Sequence, residues 1–491
     1  MKVNYFKFIK LIFKLRGLFI LFIFVFVFLY LNLLKNTNKH ISVLSNLDNK
    51  RIQIEYANNI RNNTTNEFET TTKIKINSEL LKCKNYYDNL MLNATIKDNY
   101  NKNASENLLQ KRIVRGLVFF FPLDKSQWYE KEFKWLYRSW IEMQKYEPEL
   151  WRTDLILMID VESLIKSNLA QFFNQLNCKT SNLRSYNRDE PMCTILDYKP
   201  IKKRIFNFNN TLNITKMEPM SLYSHLFHDI DVFNHNDSNL WKFYLKLTDL
   251  NDYNFVDSIL VAFEGYHYFQ NKFDFLLRSD MDIFLTPLFA TWLPMNCNDF
   301  IVGRGAYSGN FNMKRLQKAA QNVKLLPGSV RNLGSTWYST PNQFRFVSYL
   351  TLVSMIYVSN EEFSETERTG KLGVYHWPDW HYGVLLLYGQ NLAMNHLISS
   401  KQMNITNLES LIDFPSTLEE NISSKVHIHV FHGSNMFSKK FFKAGVYDNM
   451  TLPINNTHLV KYYCLNIALE SKRKSLFELE SMAKEVIKMK F

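Results

Sequence analysis

Residues 273–287 read FDFLLRSDMDIFLTP, a stretch that predicts a buried strand followed by two carboxylates, Asp280 and Asp282. Apolar residues from Phe273 to Leu277 supply the strand, and Pro287 ends the local structure. Two acids separated by one residue can converge on a single ion where a strand bends into a loop. Because Mg²⁺ and Mn²⁺ are usually held by one or two carboxylates plus substrate phosphates, this pair predicts a metal site for a diphosphate.

The spacing of the two acids is weak evidence by itself, because Asp229 and Asp231 repeat it within HLFHDIDVFN. Context distinguishes the later pair. Residues 253–269, YNFVDSILVAFEGYHYF, place apolar side chains near one helical face directly before the strand. A helix, a short link, an apolar strand and an acidic pair together are typical of an α/β fold.

An α/β unit is also predicted where the globular part begins. Val114 to Phe121 form a largely apolar run of buried-strand length, a helix follows with apolar residues at i, i+3, i+4 and i+7, and TDLILMIDV is a second strand that ends at Asp160. This order predicts a mostly parallel sheet flanked by helices. Ligands of such sheets bind at the carboxyl ends of strands, so Asp160 is a candidate nucleotide contact; helix capping is the alternative.

The segment KFDFLLRSDMDIFLTP (residues 272–287) and the helix before it resemble the Asp-x-Asp region of glycosyltransferases of the GT-A fold. The resemblance implies that Asp280 and Asp282 bind Mn²⁺ or Mg²⁺ bridging the phosphates of a nucleotide-sugar donor. The surrounding sequence also resembles a eukaryotic group of glycosyltransferase-like membrane proteins without an assigned donor or acceptor. The expected fold is therefore a GT-A-like mixed sheet, and the expected activity is sugar transfer.

Two downstream residues are candidates for substrate contact. In the transferases that this chain resembles, a loop such as NLGSTWYST often lines the donor or acceptor cleft, so Trp337 is a candidate to stack on a sugar of the donor; core packing is the alternative and the commoner role of such aromatic residues. Asp379, between two tryptophans in YHWPDWHYG, is the candidate general base for an inverting reaction, because aromatic surroundings raise a carboxyl pKa. A helix cap would select the same residue type at Asp379.

Histidines near the C-terminus supply a candidate third metal ligand. In KVHIHVFHGSNMFSKKFF, strand-like alternation puts His427 and His429 on one face, and His432 precedes a glycine. Several GT-A transferases use a C-terminal histidine followed by glycine and a basic residue that meets the diphosphate. This resemblance points to His432, with His429 as the alternative, and to Lys439 or Lys440. A zinc site built from the three histidines would leave the acidic pair unused.

The net charge of +13 does not indicate a nucleic-acid partner. Seven basic residues and no acid lie within residues 1–40, which leaves +6 for the rest of the chain. Neither a zinc-finger nor an RNA-binding signature accompanies that balance. We therefore expect no nucleic-acid binding.

A membrane anchor is expected near the N-terminus. Residues 17–34 carry no charge and would span ~27 Å as a helix. A cleaved signal peptide is the alternative, but the run is longer than a usual signal core and lacks a small-residue cleavage site. Because five basic residues precede the run and two closely follow it, the chain is expected to be a type II protein with its bulk in the Golgi or ER lumen.

The expected domain organisation follows from this topology. Residues 1–16 form a cytosolic tail, 17–35 the transmembrane helix, 36–112 a flexible stem rich in Asn, Thr, Lys and Ser, and 113–491 the catalytic domain with an insertion at about 165–250. An oxidising lumen allows disulfides, and Cys178 with Cys193 is the preferred pair because the two bracket a short polar loop. Pairing with other cysteines, or none, is the alternative.

The sequence thus predicts a metal-dependent glycosyltransferase that moves a sugar from a nucleotide-sugar to a glycan or glycoprotein. A membrane-anchored glycan-binding or adhesion glycoprotein that keeps the fold without catalysis is the main alternative. A metal-dependent hydrolase is a third class, which no feature of the sequence favours.

Overall fold

The computed structural model describes residues 112–181, 190–206, 217–234, 237, 239–294, 299–369, 379–430, 437–451 and 457–490. The expected cytosolic tail, the membrane helix at 17–35 and His432 lie outside these residues, as does the expected stem except its last residue. Within the described ranges, no helix combines the length and apolar character needed to cross a membrane.

A mixed eight-stranded sheet forms the centre of the described fold. A second, three-stranded sheet includes the strand that directly follows Asp280 and Asp282. In chain order, the strands are β1 (Ile113–Phe120), β2 (Trp151–Ile159), β3 (Lys179–Thr180), β4 (Cys193–Asp197), β5 (Phe275–Arg278), β6 (Ile283–Leu285), β7 (Asp299–Arg304), β8 (Leu333–Ser339), β9 (Asn404–Asn407), β10 (Phe414–Pro415) and β11 (His427–His429).

The large sheet has the order β3-β4-β2-β1-β5-β8-β7-β9. Strands β3, β4, β2, β1 and β5 run parallel to one another, β8 is antiparallel to β5 and β7, and β9 is parallel to β7. The predicted α/β class with a mostly parallel sheet is confirmed. Because β1, β2, β4 and β5 are parallel, their carboxyl ends meet at one edge, where ligands of open α/β sheets bind.

Helices cover both faces of this sheet. In chain order, the α-helices are α1 (Ser126–Gln144), α2 (Val161–Ile165), α3 (Leu169–Gln175), α4 (Pro219–His228), α5 (Leu240–Leu247), α6 (Asp257–Glu264), α7 (Tyr266–Phe269), α8 (Asn310–Asn322), α9 (Pro341–Tyr357), α10 (Glu365–Thr369), α11 (Leu385–Ser399), α12 (Lys439–Lys443), α13 (Val460–Arg473) and α14 (Leu476–Lys490). One core lies between the sheet and α4, α5, α6, α8, α9 and α11, and the other between the sheet and α1, α3, α13 and α14.

Strand β1 shows how the sequence builds both cores. Val114 and Val118 belong to the first core, whereas Ile113, Leu117 and Phe119 belong to the second. Successive side chains of a strand point to opposite faces, so a strand that is covered on both sides is apolar at most of its positions. The largely apolar run at the start of the globular part therefore becomes a central strand.

The segment at about 165–250, expected to be an insertion, contributes directly to the large sheet. It supplies β3 and β4, and β4 pairs in parallel with β2. Cys178 and Cys193 form a disulfide, which confirms the preferred pairing and closes the loop between α3 and β4. Among the described cysteines, Cys464 is free and buried.

The small sheet brings the C-terminal histidines to the acidic pair. Strand β11 pairs antiparallel with β6 in a register that places His429 opposite Ile283, and β10 runs parallel on the other side of β11. The backbone N–H of Val430 donates to the carbonyl of Asp282 at 2.9 Å. This pairing joins residues that are almost 150 positions apart in the chain.

Candidate metal centre

Asp280 and Asp282 lie in the short connection between β5 and β6. Strand β5 is buried throughout, so the chain emerges at the carboxyl edge of the sheet directly before the two acids. The Asp280 side chain is 43% exposed and lies 3.5 Å from the Arg278 guanidinium, while Asp282 is 9% exposed. The pair therefore presents one carboxylate to solvent and one to the protein interior.

Asp280, Asp282 and His429 form a cluster with the composition of a divalent-cation site. One ligand atom from each lies within 4.8 Å of the other two. Two carboxylates and an imidazole are ligands that a first-row divalent cation accepts, and the carboxylates suit Mg²⁺ or Mn²⁺. The three residues fit the metal that the sequence predicts.

Two cationic side chains face Asp282. The Lys439 ammonium, at the start of α12, lies 2.6 Å from its carboxylate, and His429 Nε2 lies 3.4 Å from it. Burial opposes ionisation of Asp282, but the charges of His429 and Lys439 outweigh it and hold its pKa well below the usual range. Burial likewise opposes the His429 imidazolium, yet Asp282 and Asp413 raise the pKa of His429 well above its ordinary value. Positive charge is thus favoured at this position.

A second buried acid, Glu132 of α1, lies behind Lys439. Its carboxylate is 2.5 Å from the Lys443 ammonium and 3.9 Å from that of Lys439. Burial, followed by the charge of Asp282, raises the pKa of Glu132. Burial, followed by the charges of Glu132 and of the acidic pair, raises the pKa of the nearby Tyr129 to about 12. Residues of α1 therefore form one wall of the centre.

A cavity of about 150 Å³ adjoins this wall at the carboxyl ends of β1 and β2. Tyr129 and Asp160 belong to its lining, together with Lys203 and Phe255. Because Tyr129 also senses the charges of the acidic pair, the cavity and the metal-site residues are neighbours. Three larger hollows, of about 280, 560 and 630 Å³, are not lined by the acidic pair or His429.

Asp160 in this cavity acts as a helix cap and as an ion-pair partner. Its side chain accepts from the backbone N–H of Ser163 and from the Ser163 hydroxyl at the start of α2. The Lys203 ammonium lies 2.8 Å from the same carboxylate. Burial raises the pKa of Asp160, but hydrogen bonds from Lys203 and Ser163 lower it overall. The capping alternative is therefore present, and the residue still faces the cavity.

The other substrate-contact candidates lie outside the cluster, and Trp337 is linked to it through Arg278, whose guanidinium lies over the Trp337 ring and pairs with Asp280. Trp337 is completely buried in β8, packs against Phe300 and Phe344, and donates its indole N–H to Gln390. Its ring therefore has no exposed face for a sugar, which corrects the expected stacking and matches the packing alternative. Asp379 is exposed, and its backbone carbonyl accepts from the Tyr388 hydroxyl.

Asp379 does not cap a helix through its side chain. The helical turn that follows has His381 at its N-cap position, without a side-chain cap hydrogen bond. The capping alternative for Asp379 is therefore not the observed arrangement.

Of the remaining residues that the sequence singled out, one lies at the centre. Lys439 lies at the centre, whereas His432 lies outside the described residues and stays a prediction. Asp229 and Asp231, the pair with identical spacing, act in a turn: Asp229 pairs with His225 after α4, and Asp231 accepts the backbone N–H of Phe233. Context rather than spacing separates the two pairs.

Asp413 and Glu132 are site residues that sequence reasoning missed. Asp413 is fully buried beside both histidines of β11, and Glu132 lies on a helix whose sequence contains several other charged residues. Neither belongs to a motif with a recognisable spacing. The pairing of β10 with β11 brings Asp413 to the site, and the packing of α1 against β6 brings Glu132 there.

Comparisons with known proteins give one family match and a distant structural likeness. The family described as Domain of unknown function (DUF7164) matches residues 109–490. Among curated proteins, none matches the chain. The crystal structure of mouse xyloside xylosyltransferase 1 in its apo form is 8% identical, with 61% of this chain and 87% of that chain covered and a TM-score of 0.28. That score is too low to establish a common fold.

Proposed function

The chain belongs to the DUF7164 family, described as a domain of unknown function, and we propose that it is a metal-dependent glycosyltransferase of GT-A-like architecture. In this proposal, a sugar moves from a nucleotide-sugar donor to a glycan or glycoprotein acceptor. The observation that carries the proposal is the convergence of Asp280, Asp282 and His429 within 4.8 Å at the carboxyl edge of the sheet. The resemblance of residues 272–287 to the Asp-x-Asp region of such enzymes supports it.

Each site residue has a defined part in the proposed reaction. Asp280, Asp282 and His429 would hold Mn²⁺ or Mg²⁺, which, when bound, neutralises the leaving diphosphate. Lys439 supplies a second positive charge beside the same carboxylate, so it is placed to approach an anionic ligand there. Asp160 faces the adjoining cavity, which we propose for part of the donor nucleotide.

Two further parts of the proposal concern the acceptor and the membrane topology. Asp379 stays the proposed carboxylate at the acceptor hydroxyl for an inverting reaction, and it is exposed to solvent. Residues 17–34 support a type II anchor that places this domain in the lumen of the Golgi or ER. These two parts of the proposal are independent of the metal centre.

The test of the proposal is metal-dependent donor binding and turnover by the full-length protein. A panel of nucleotide-sugars is titrated with Mn²⁺ and again with EDTA, and transfer or hydrolysis of the bound donor is then measured. We expect one donor class to bind only with the metal. A glycan-binding protein without catalysis would bind no donor, and a hydrolase would release sugar without needing an acceptor.

Replacing both Asp280 and Asp282 by Ala is expected to lower turnover by about a thousandfold or more, because several kcal/mol of metal stabilisation are lost. The matched control replaces Asp229 and Asp231, which have the same spacing but act in a turn. The control variant should keep its activity. Equal loss in both variants, or full turnover without Asp280 and Asp282, would sink the assignment.

A further inference from the structure

His427 and His429 share one face of β11 but have different partners. His427 Nδ1 accepts from the backbone N–H of Asp413 at 3.2 Å, and its Nε2 lies 3.2 Å from the Ser279 hydroxyl. A ring nitrogen that accepts an N–H hydrogen bond carries no proton, so neutral His427 is protonated at Nε2. Burial lowers the pKa of His427 to about 4, which keeps the ring neutral. Both nitrogens of His427 are therefore engaged within the protein.

His429 lies between two carboxylates, one at each ring nitrogen. Nε2 is 3.4 Å from Asp282 in the candidate metal centre, and Nδ1 is 3.4 Å from Asp413 on the opposite side. Asp413 accepts from the Thr336 hydroxyl at 2.5 Å and from the Thr336 backbone N–H at 3.3 Å. In metal sites, a carboxylate behind a histidine ligand accepts the second ring N–H and so fixes the tautomer.

The burial and the backbone conformation of Asp413 both oppose folding, and a glycine on the neighbouring strand leaves room for its side chain. Asp413 is fully buried and has a φ of 57°, in the left-handed region that residues with a Cβ seldom adopt. Gly303 of β7 faces it, and a Cβ at that position would collide with the Asp413 carboxylate. Buried charge and backbone strain both oppose folding, and such strain is concentrated at functional sites.

We propose that Asp413 is a positioning residue for the metal centre: it holds His429 as the Nδ1–H tautomer and thereby presents the Nε2 lone pair to the divalent cation beside Asp280 and Asp282. This inference rests on the proposed function, because it requires that these residues bind a cation. Asp413 acts through His429 and does not itself contact the cation.

The first test compares the Mn²⁺ dissociation constants of full-length wild type and Asp413→Asn by calorimetric titration. Asparagine has the same size, but its amide can donate to Nδ1 and so favours the opposite tautomer. We expect the dissociation constant to rise by about 10- to 100-fold. The matched control is Asp274→Asn, which changes a partly buried carboxylate that accepts the Val114 N–H just before β5 begins. Its affinity for Mn²⁺ should equal that of wild type.

The second readout is the tautomer itself. Ring ¹⁵N NMR of the Mg²⁺-loaded protein, with His429 signals identified by their loss in His429→Gln, should show Nδ1–H in wild type and a shift toward Nε2–H in Asp413→Asn. A purely structural role for Asp413 would change stability without reversing the tautomer. If Asp413→Asn does not fold, Thr336→Val decides the question, because it removes the hydroxyl that orients Asp413 and should still weaken Mn²⁺ binding.

The outcomes separate this inference from the proposed function. Wild-type Mn²⁺ affinity and an unchanged His429 tautomer in folded Asp413→Asn would overturn the positioning role and leave the metal centre intact. Unchanged affinity in Thr336→Val would do the same where the first variant is unfolded. A wild-type protein that binds no Mn²⁺ would overturn the metal centre and this inference together.

Discussion

At the scale of single residues, the Asp282 carboxylate is surrounded by positively charged side chains. Lys439 and His429 supply positive charge in the structure, and a divalent ion would have to take over part of that role. Lys439 lies 3.9 Å from a second acid, Glu132, so its charge would retain a partner if it moved from Asp282. A divalent cation could therefore replace Lys439 at Asp282 while Lys439 stays paired with Glu132.

This arrangement predicts that Mn²⁺ binding strengthens as pH rises. The pKa of His429 is raised well above its ordinary value, so the metal-free protein holds a proton that the metal must displace. Below the raised pKa, each unit of falling pH should weaken the apparent affinity by up to about tenfold. Above it, the affinity should level off.

Calorimetric titrations between about pH 6 and about pH 8, in buffers with different ionisation enthalpies, measure both the affinity and the protons released. His429→Gln is the control, since it should bind more weakly and with a smaller pH dependence. Affinity that stays constant across this range in wild type would contradict a protonated His429 in the metal-free protein.

At the scale of elements, the buried Arg115 side chain ties β1 to Glu147 and to the segment that follows the acidic pair. The Arg115 guanidinium lies 2.8 Å from Glu147, with both side chains fully buried. It also donates to the backbone carbonyls of Phe289 and Ala290, in the turn after β6. Sequence periodicity identified β1 as a buried strand, but it gave no sign that this arginine would lie in the core.

We expect Glu147→Gln to lower the free energy of unfolding by about 3–5 kcal/mol, because it leaves the buried Arg115 charge without its carboxylate. Chemical denaturation measures the change. The control is Glu162→Gln, which breaks an exposed pair with Lys166 on α2 and should have little or no effect. Equal stability of the two variants would contradict the role assigned to the Arg115–Glu147 pair.

At the scale of the whole molecule, the Cys178–Cys193 disulfide is the one covalent cross-link among the described residues. Such bonds persist in oxidising compartments, which agrees with the proposed lumenal location. The disulfide closes a loop with a sequence separation of 15 residues directly before β4, one of the strands of the large sheet. It therefore restrains the unfolded chain next to the sheet.

Replacing both Cys178 and Cys193 by Ser is expected to lower the free energy of unfolding by about 3 kcal/mol, the amount for a closed loop of this length. Denaturation of wild type with and without reductant should show the same loss. The serine variant should not respond to reductant. If oxidised and reduced wild type unfold at the same denaturant concentration, the disulfide does not stabilise the fold.

The sequence by itself determined the class of fold, the central strands and the acidic pair. Mostly apolar runs mark β1, β2 and β5 because a strand covered on both faces buries nearly all of its side chains, and the position of Asp280 after β5 follows directly. The alternation that predicted β11 is likewise local. For Trp337 the sequence left sugar stacking and core packing both open, because aromatic residues have the same sequence signal in a core as in a sugar site.

Only the tertiary structure decided which residues complete the site. The register of β11 on β6 sets His429 beside Asp282, and the packing of α1 and of Asp413 adds Glu132 and the support behind the histidine. The pairing of β11 with β6 and the packing of α1 on the site join segments that are more than one hundred residues apart, and the position of Asp413 depends on the pairing of β10 with β11. Local periodicity carries no information about such contacts, because it records only the face on which a side chain lies.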